Sequence, residues 1–388
     1  MSKFISILGS TGSIGLTTLQ ILDKKKKSFR PYLFSANKNY SLIVKQIKKY
    51  KPFYFLINNS KIYKKVKSKF SKNKVIIINK LNIKNIKKIS DITIVAIPGI
   101  AGLTPTIEMT KKSKKILIAN KESIICGWSL IKHFSKKYKT KIVPVDSEHF
   151  SISKLLDNIE LDNIEKVYLT ASGGPFLNLK LNKFKKIKPH HALKHPKWKM
   201  GKKISVDSST LMNKILELIE AQKLFNIPSN KLDIVIHPNS LVHAIITLKN
   251  GLSKLIYHET SMVIPLANAI FDNKVNIKDF YKKKIEPFNS NLNFSKVDKK
   301  KFPIINLKHK ANLYPSTSII INASNEILVD QFIRGKIPYL AISKVIMSIL
   351  RDRNYKKNAI KRASNLNQII KTDLWARKLT YKKIQKYV

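Results

Sequence analysis

The chain has 388 residues, 43% of them hydrophobic, enough to bury the cores of two or three domains. Lysine and arginine number 75 against 23 acidic residues, a formal charge of +52, but the lysines run along the whole chain, as at 24–27, 64–69 and 299–301. That spread excludes a single basic arm or an aromatic-interleaved platform, so no specific nucleic-acid partner is expected. No apolar run approaches the roughly 18 residues of a membrane span, and the single Cys126 allows neither an internal disulfide nor a thiolate cluster. Any metal must then be held by oxygen or imidazole, and the expected setting is cytoplasmic, with no membrane partner and no room for a leader before the first strand.

Seven short β-rich runs, at 4–8, 32–36, 53–57, 75–78, 92–97, 115–119 and 141–145, alternate with lysine-rich amphipathic segments. This rhythm predicts an α/β fold whose N-terminal part, residues 1–146, is a Rossmann-like parallel sheet covered by helices. Strands at 166–170, 233–237, 244–248 and 254–258, with a helix over 211–225, predict a central α+β catalytic domain across 147–272. The polar stretch 273–300 reads as a linker, and residues 301–388, with helices near 315–332 and 340–351, as a small C-terminal helical domain.

Glycine is scarce, only 11 in the chain, yet Gly9, Gly12 and Gly15 fall together after the first strand and at the start of a helix. In that setting glycines let the backbone approach a pyrophosphate, which rests on the helix N-terminal amides; a tight turn that merely needs small residues is the alternative. An NAD site usually ends its second strand in an acid. Here Asn37, Lys38 and Asn39 stand there, and a lysine suits the 2′-phosphate of NADP.

Eleven of the 23 acids and seven of the nine histidines lie between residues 141 and 260, so the middle third is where chemistry is expected. Asp146-Ser147-Glu148-His149 follows the strand 141–145. Continued as extended chain, it presents Asp146 and Glu148 on one face, two residues apart, and Glu217 on the following helix is the third candidate ligand. Three carboxylates favour a hard divalent ion; two surface acids and a helix-face glutamate are the plainer alternative. The small residues 170–175 form a candidate anion-binding turn, and Ser208, Ser209, Thr210, Asn213 and Lys214 are read as the N-terminal turn of the helix, where hydroxyls, a carboxamide and a cation suit a phosphate. The basic stretch 189–201, which carries His195 and Trp198 and is broken by Pro189, Pro196 and Gly201, reads as a lid loop. Two rivals stay open on residues alone: another NADPH oxidoreductase, such as a semialdehyde or homoserine dehydrogenase, and a Rossmann protein whose basic surface binds RNA.

GSTGSIG at 9–15, AIPGIAGL at 96–103, ANKES at 119–123, PVDSEH at 144–149, SGGPF at 172–176, HPKWKMGKKISVDSSTLMNK at 195–214 and IHPNSLVH at 236–243 together resemble the 1-deoxy-D-xylulose 5-phosphate reductoisomerase family, in order and interval, over about residues 1–250. The resemblance implies NADPH contacts at Thr11, Gly12, Ser13, Ile14, Asn37, Lys38, Asn39, Asn120, Glu122 and Gly201. It implies a divalent cation (Mg²⁺, Mn²⁺ or Co²⁺) on Asp146, Glu148 and Glu217. A phosphorylated sugar would be held by Lys121, Ser147, Glu148, Ser172, His195, Trp198, Ser208, Asn213, Lys214 and Glu217, with Lys121, Glu148, His195 and Lys214 in catalytic roles. His243 is a further active-site candidate, and a homodimer is implied by the same likeness. The sequence departs from the family at Asn37, Phe150, Leu177 and across 258–263.

Overall fold

The computed structural model describes residues 2–198, 200–281 and 291–387. Backbone contacts divide the chain into two compact units. Met1–Ser123, Ser129–Asp146 and Ser261–Lys284 make up the first; Ile124–Trp128, Ser147–Thr260 and Ile285–Val388 make up the second.

All seven expected strands form one parallel sheet in the first unit: β1 (Lys3–Leu8), β2 (Phe29–Ala36), β3 (Tyr54–Ile57), β4 (Ile76–Ile78), β5 (Ser90–Val95), β6 (Ser113–Ile118) and β7 (Lys141–Pro144). β1, β5 and β6 are rich in Ile, Leu and Val and are buried along their last four residues, as helix-covered parallel strands require. The covering helices include α1 (Ser13–Lys24), α2 (Tyr40–Tyr50), α3 (Ser60–Lys69), α4 (Leu103–Thr110) and α5 (Lys121–Lys137). Strand order is β4-β3-β2-β1-β5-β6-β7, so the order reverses at β1 and β5. Open α/β sheets bind ligands at the carboxyl ends of strands at such a switch point. Gly9 and the 96–99 turn occupy those two ends.

In the second unit, α6 (Ser147–Leu155) leads to β8 (Ile164–Ala171), then the short α7 (Pro189–Ala192), α8 (Lys202–Thr210) and α9 (Met212–Phe225), followed by β9 (Leu232–Ile236), β10 (Val242–Leu248) and β11 (Ser253–Tyr257). The four strands form a mixed sheet in the order β11-β10-β8-β9, with only β8 and β9 parallel. The chain then enters α10 (Val263–Ile270) in the first unit. Back in the second it forms α11 (Thr317–Ile333), α12 (Ala341–Ile349), α13 (Tyr355–Ala359) and α14 (Leu366–Ile384). No helix among the described residues is long and apolar enough to cross a membrane.

The expected division differs in two places. The sequence pattern places residues 261–272 in the catalytic block, yet Leu266, Ala267, Ala269 and Ile270 of α10 are buried in one hydrophobic cluster with Leu19, Ile21 and Phe29 of the sheet unit. Lys115 fastens this return through its Nζ, which lies 2.8 Å from Ala269 O and 2.8 Å from Asp272. The C-terminal helices group with the catalytic block instead of standing alone. Of the connector 273–300, residues 282–290 lie outside the described residues.

Candidate active site

The cofactor half is built at the end of β1. Gly9 has φ +88°, and a Cβ there would lie 2.6 Å from Ala96 O; a Cβ on Gly15 would lie 2.4 Å from Gly9 O. Only glycine permits that packing of turn, helix and neighbouring strand. Gly12 caps α1 with no side-chain hydrogen bond, so no side chain of its own screens the first-turn amides. Thr11 and Ile14 are half-buried, while Gly12, Ser13, Asn37, Lys38 and Asn39 are exposed, the last three beyond the end of β2. The Asn39 side chain caps α2 by accepting from Leu42 N at 3.1 Å. Asn120 and Glu122 are buried: Asn120 Nδ2 donates to Ile97 O (2.6 Å), Gly99 O (3.1 Å) and Glu122 Oε2 (3.0 Å), and Oδ1 accepts from Ser123 N. These two side chains therefore lock the 97–102 turn to the start of α5.

Expected as extended chain, 146–149 is not: β7 stops at Pro144 and Ser147 opens α6. Glu148 thus projects from a first helical turn, not from the same strand face as Asp146. The carboxylates converge all the same. One oxygen from each of Asp146, Glu148 and Glu217 lies within 4.8 Å of the others. Like charges so close raise one another's cost unless a cation intervenes. Lysines supply one on each side: Lys121 Nζ lies 3.2 Å from Asp146 Oδ2, while Lys214 Nζ donates to Glu148 Oε1 and, at 2.6 Å, to Glu217 Oε2. Asn213 Nδ2 donates to Glu217 Oε1, and Ser147 Oγ to Glu148 Oε2 at 2.5 Å. An all-oxygen donor set at this spacing fits a hard divalent cation. Behind it, buried His149 places Nε2 2.9 Å from Glu217 O and Nδ1 3.3 Å from Glu220 Oε2, bracing α9 against α6.

A second correction concerns Ser208, Ser209 and Thr210. They end α8 instead of starting a helix; Leu211 turns in left-handed conformation (φ 63°), and α9 restarts with Asn213 and Lys214 in its first turn. A left-handed leucine costs about 1–2 kcal/mol, offset here by burial of its side chain. The two anion-reading stretches nevertheless meet. Gly173 and Gly174 both have positive φ, and a Cβ on Gly174 would lie 2.9 Å from Ser208 O. Ser172 Oγ accepts from Gly174 N at 3.1 Å and pairs with His195 Nε2 at 3.0 Å. His195 Nδ1 accepts from Lys197 N (3.2 Å) and Trp198 N (2.9 Å), which leaves the proton on Nε2. Burial, then the Lys214 charge, push its pKa down to about 4. The ring is a neutral donor to Ser172.

Trp198 meets the edge of His243 at 6.0 Å, and His243 stacks on His258 at 3.8 Å, so His243 underpins the loop. Lys199, inside that loop, lies outside the described residues, and Gly201 caps α8 without a side-chain bond. Asp207, Asn325 and Tyr339, none of them a candidate site residue on sequence, hold α8 from behind, and the rarity of acids in this chain is the available signal for Asp207.

Fold and site define a class: an α/β oxidoreductase combining a dinucleotide-binding sheet with a carboxylate centre for a hard cation. The chain is 44% identical over 379 residues to the 1-deoxy-D-xylulose 5-phosphate reductoisomerase of Pelagibacter ubique (strain HTCC1062), covering 95% of this chain and 96% of that one. It is 38% identical over 391 residues to that of a Wolbachia of Drosophila simulans (strain wRi), covering 100% and 99%. Residues 5–127 match the model of 1-deoxy-D-xylulose 5-phosphate reductoisomerase, 142–225 that of its C-terminal domain, and 258–379 a further DXP reductoisomerase C-terminal domain. The chain belongs to the 1-deoxy-D-xylulose 5-phosphate reductoisomerase family. Among solved structures, DOX-P reductoisomerase in complex with NADPH, fosmidomycin and magnesium superposes with TM-score 0.89 at 29% identity, over 99% of this chain and 98% of that one. The Zymomonas mobilis enzyme in complex with NADPH gives 0.86 at 27%, over 99% and 100%.

Proposed function

We propose that this chain rearranges and reduces 1-deoxy-D-xylulose 5-phosphate to 2-C-methyl-D-erythritol 4-phosphate, a step of the non-mevalonate isoprenoid precursor pathway. It does so with NADPH and a divalent cation (Mg²⁺, Mn²⁺ or Co²⁺), as a cytoplasmic homodimer with no nucleic-acid or membrane partner. The observation that carries this reading is the convergence of Asp146, Glu148 and Glu217 beside the phosphate-type groups Asn213 and Lys214. When bound, the cation supplies Lewis acidity at the ketose carbonyl and NADPH supplies hydride to the rearranged aldehyde. Ketose and aldehyde are isomers, so the reduction alone consumes NADPH and one proton and releases NADP⁺.

Asp146, Glu148 and Glu217 hold the cation, and Lys121 and Ser147 orient the sugar oxygens beside it. Lys121 and Glu148 are the groups within reach for proton transfer. Ser172, Ser208, Asn213 and Lys214 bind the phosphate, whose remote binding energy orients the reacting carbons. His195 fixes the Ser172 hydroxyl, and Trp198, in the loop that leads from α7 to Gly201, covers the sugar and excludes water. Thr11, Gly12, Ser13, Ile14, Asn37, Lys38, Asn39, Asn120, Glu122 and Gly201 form the NADPH side, with Lys38 on the 2′-phosphate.

The test is NADPH oxidation with 1-deoxy-D-xylulose 5-phosphate, with and without Mg²⁺ or Mn²⁺, for the wild type and Glu217→Gln. Metal-dependent turnover should fall by about a thousandfold in the variant, matching several kcal/mol of lost charge stabilisation. No turnover by folded, NADPH-binding wild type would overturn the reading.

A further inference from the structure

The C-terminal helices reach the phosphate-type groups without supplying one. Tyr339, just before α12, is buried, and its Oη donates to Ser209 O at 2.6 Å. That carbonyl belongs to the last turn of α8, where helix geometry leaves carbonyls without intrahelical donors. The same tyrosine ring meets Phe176 edge-on at 5.2 Å. Phe176 closes the Gly173-Gly174 turn, and that turn presses on Ser208. One residue thus bonds the backbone that presents Ser208 and packs on the ring that follows the turn presenting Ser172. Burial raises the pKa of Tyr339, so its hydroxyl remains a donor throughout the working pH range.

Two residues earlier in α8, Asp207 is 1% exposed. Its Oδ2 accepts from Lys203 Nζ at 2.9 Å, and its Oδ1 from Asn325 Nδ2 of α11 at 2.7 Å. A buried carboxylate needs such donors, and Asn325 supplies the one from outside the helix. The two bonds grip α8 at consecutive levels, immediately before and after Ser208.

We propose that Tyr339 and Asn325 are positioning residues for phosphate recognition: through Ser209 O and Asp207 they set where the Ser208 hydroxyl stands relative to Ser172. The proposal rests on the reading of Ser172 and Ser208 as phosphate contacts. A merely structural role would lower the active fraction, and so kcat, at unchanged KM; a positioning role raises KM for the phosphorylated substrate.

The experiment uses the full chain with NADPH and Mg²⁺, comparing Tyr339→Phe, Asn325→Leu, the exchange Asp207→Asn with Asn325→Asp, and Ser208→Ala as the direct-contact control. The readouts are KM for 1-deoxy-D-xylulose 5-phosphate, the inhibition constant of inorganic phosphate, kcat, and NADPH affinity by fluorescence. Tyr339→Phe keeps the ring and is the variant that folds even if Asn325→Leu does not. Expected are rises of about threefold to tenfold in both KM and the phosphate constant, the scale of one hydrogen bond, with NADPH affinity unchanged. The exchange, which restores a carboxamide facing a carboxylate, should recover most of the loss. If Ser208→Ala weakens phosphate but Tyr339→Phe leaves KM and the phosphate constant unchanged, positioning is overturned while the phosphate reading stands. If Ser208→Ala itself leaves phosphate binding unchanged, the phosphate reading falls and the positioning role with it.

Discussion

Nδ1 of His195 accepts two backbone N–H groups, so it has no room for a proton, and the ring can gain charge only by breaking both bonds. Burial, and after it the Lys214 charge, lower its pKa from 6.5 to about 4. The folded value lies below the unfolded one, so between those pH values the unfolded chain binds a proton that the folded chain does not. The stability His195 contributes is therefore complete above about pH 6.5 and is lost as pH falls toward 4. Nuclear magnetic resonance titration of the ring should show a neutral Nε2–H tautomer down to about pH 5, and the pH–rate profile should have no limb from this residue between about pH 6 and 8. A midpoint near 6.5 would mean that the Lys197 and Trp198 amides do not hold the ring in solution. The sequence nominated His195 as catalytic but could not distinguish a proton carrier from a fixed donor. That distinction lies in which ring nitrogen the following two backbone amides reach.

The glycine turn and α8 show at the scale of elements what was legible and what was not. All eleven strands among the described residues are readable in the sequence, because Ile-, Val- and Phe-rich runs between Asn, Pro and Gly leave few other structures open. Helix α8 was not. Its Ile-Ser-Val-Asp-Ser-Ser interior has low helix propensity, and its hydroxyls imitate an N-terminal cap. Tertiary partners supply what propensity lacks: Asn325 on Asp207, Tyr339 on Ser209 O, and the Gly174 backbone against Ser208. The glycine turn, by contrast, separates function from folding inside one motif. Gly15→Ala would put a Cβ 2.4 Å from Gly9 O, whereas at Gly12 the nearest atom is 3.4 Å away and φ is −81°. Gly15→Ala should therefore lose about 1–3 kcal/mol in denaturant unfolding. Gly12→Ala should keep its stability within about 1 kcal/mol and, on the proposed reading of this turn as the pyrophosphate seat, lose NADPH affinity, read by fluorescence titration. Equal destabilisation by both would show that the turn is only a packing device.

Over the whole molecule, the formal charge of +52 sets the background in which a carboxylate centre works. The central acids are each engaged by a cation, Asp146 by Lys121 and both Glu148 and Glu217 by Lys214, whereas the lysines at 24–27 and at 64, 65, 67 and 69 stand exposed on helix ends and faces. Exposed like charges repel through solvent, and that repulsion opposes the compact state. Raising KCl from about 10 mM to about 0.1 M shortens the screening length from about 30 Å to about 10 Å, which removes most pairwise repulsion between neighbouring lysine clusters but little of the attraction inside a buried pair. The thermal midpoint should therefore rise with KCl across that range, opposite to a fold held by surface ion pairs. A midpoint that falls would show that pairs such as Lys49 with Asp23 and Lys114 with Asp91 outweigh the surplus. The same titration separates charge as background from charge as function. Background charge gives RNA adhesion that vanishes with the same salt and leaves metal-dependent turnover untouched, whereas a dedicated RNA surface retains sequence-dependent binding at about 0.15 M salt.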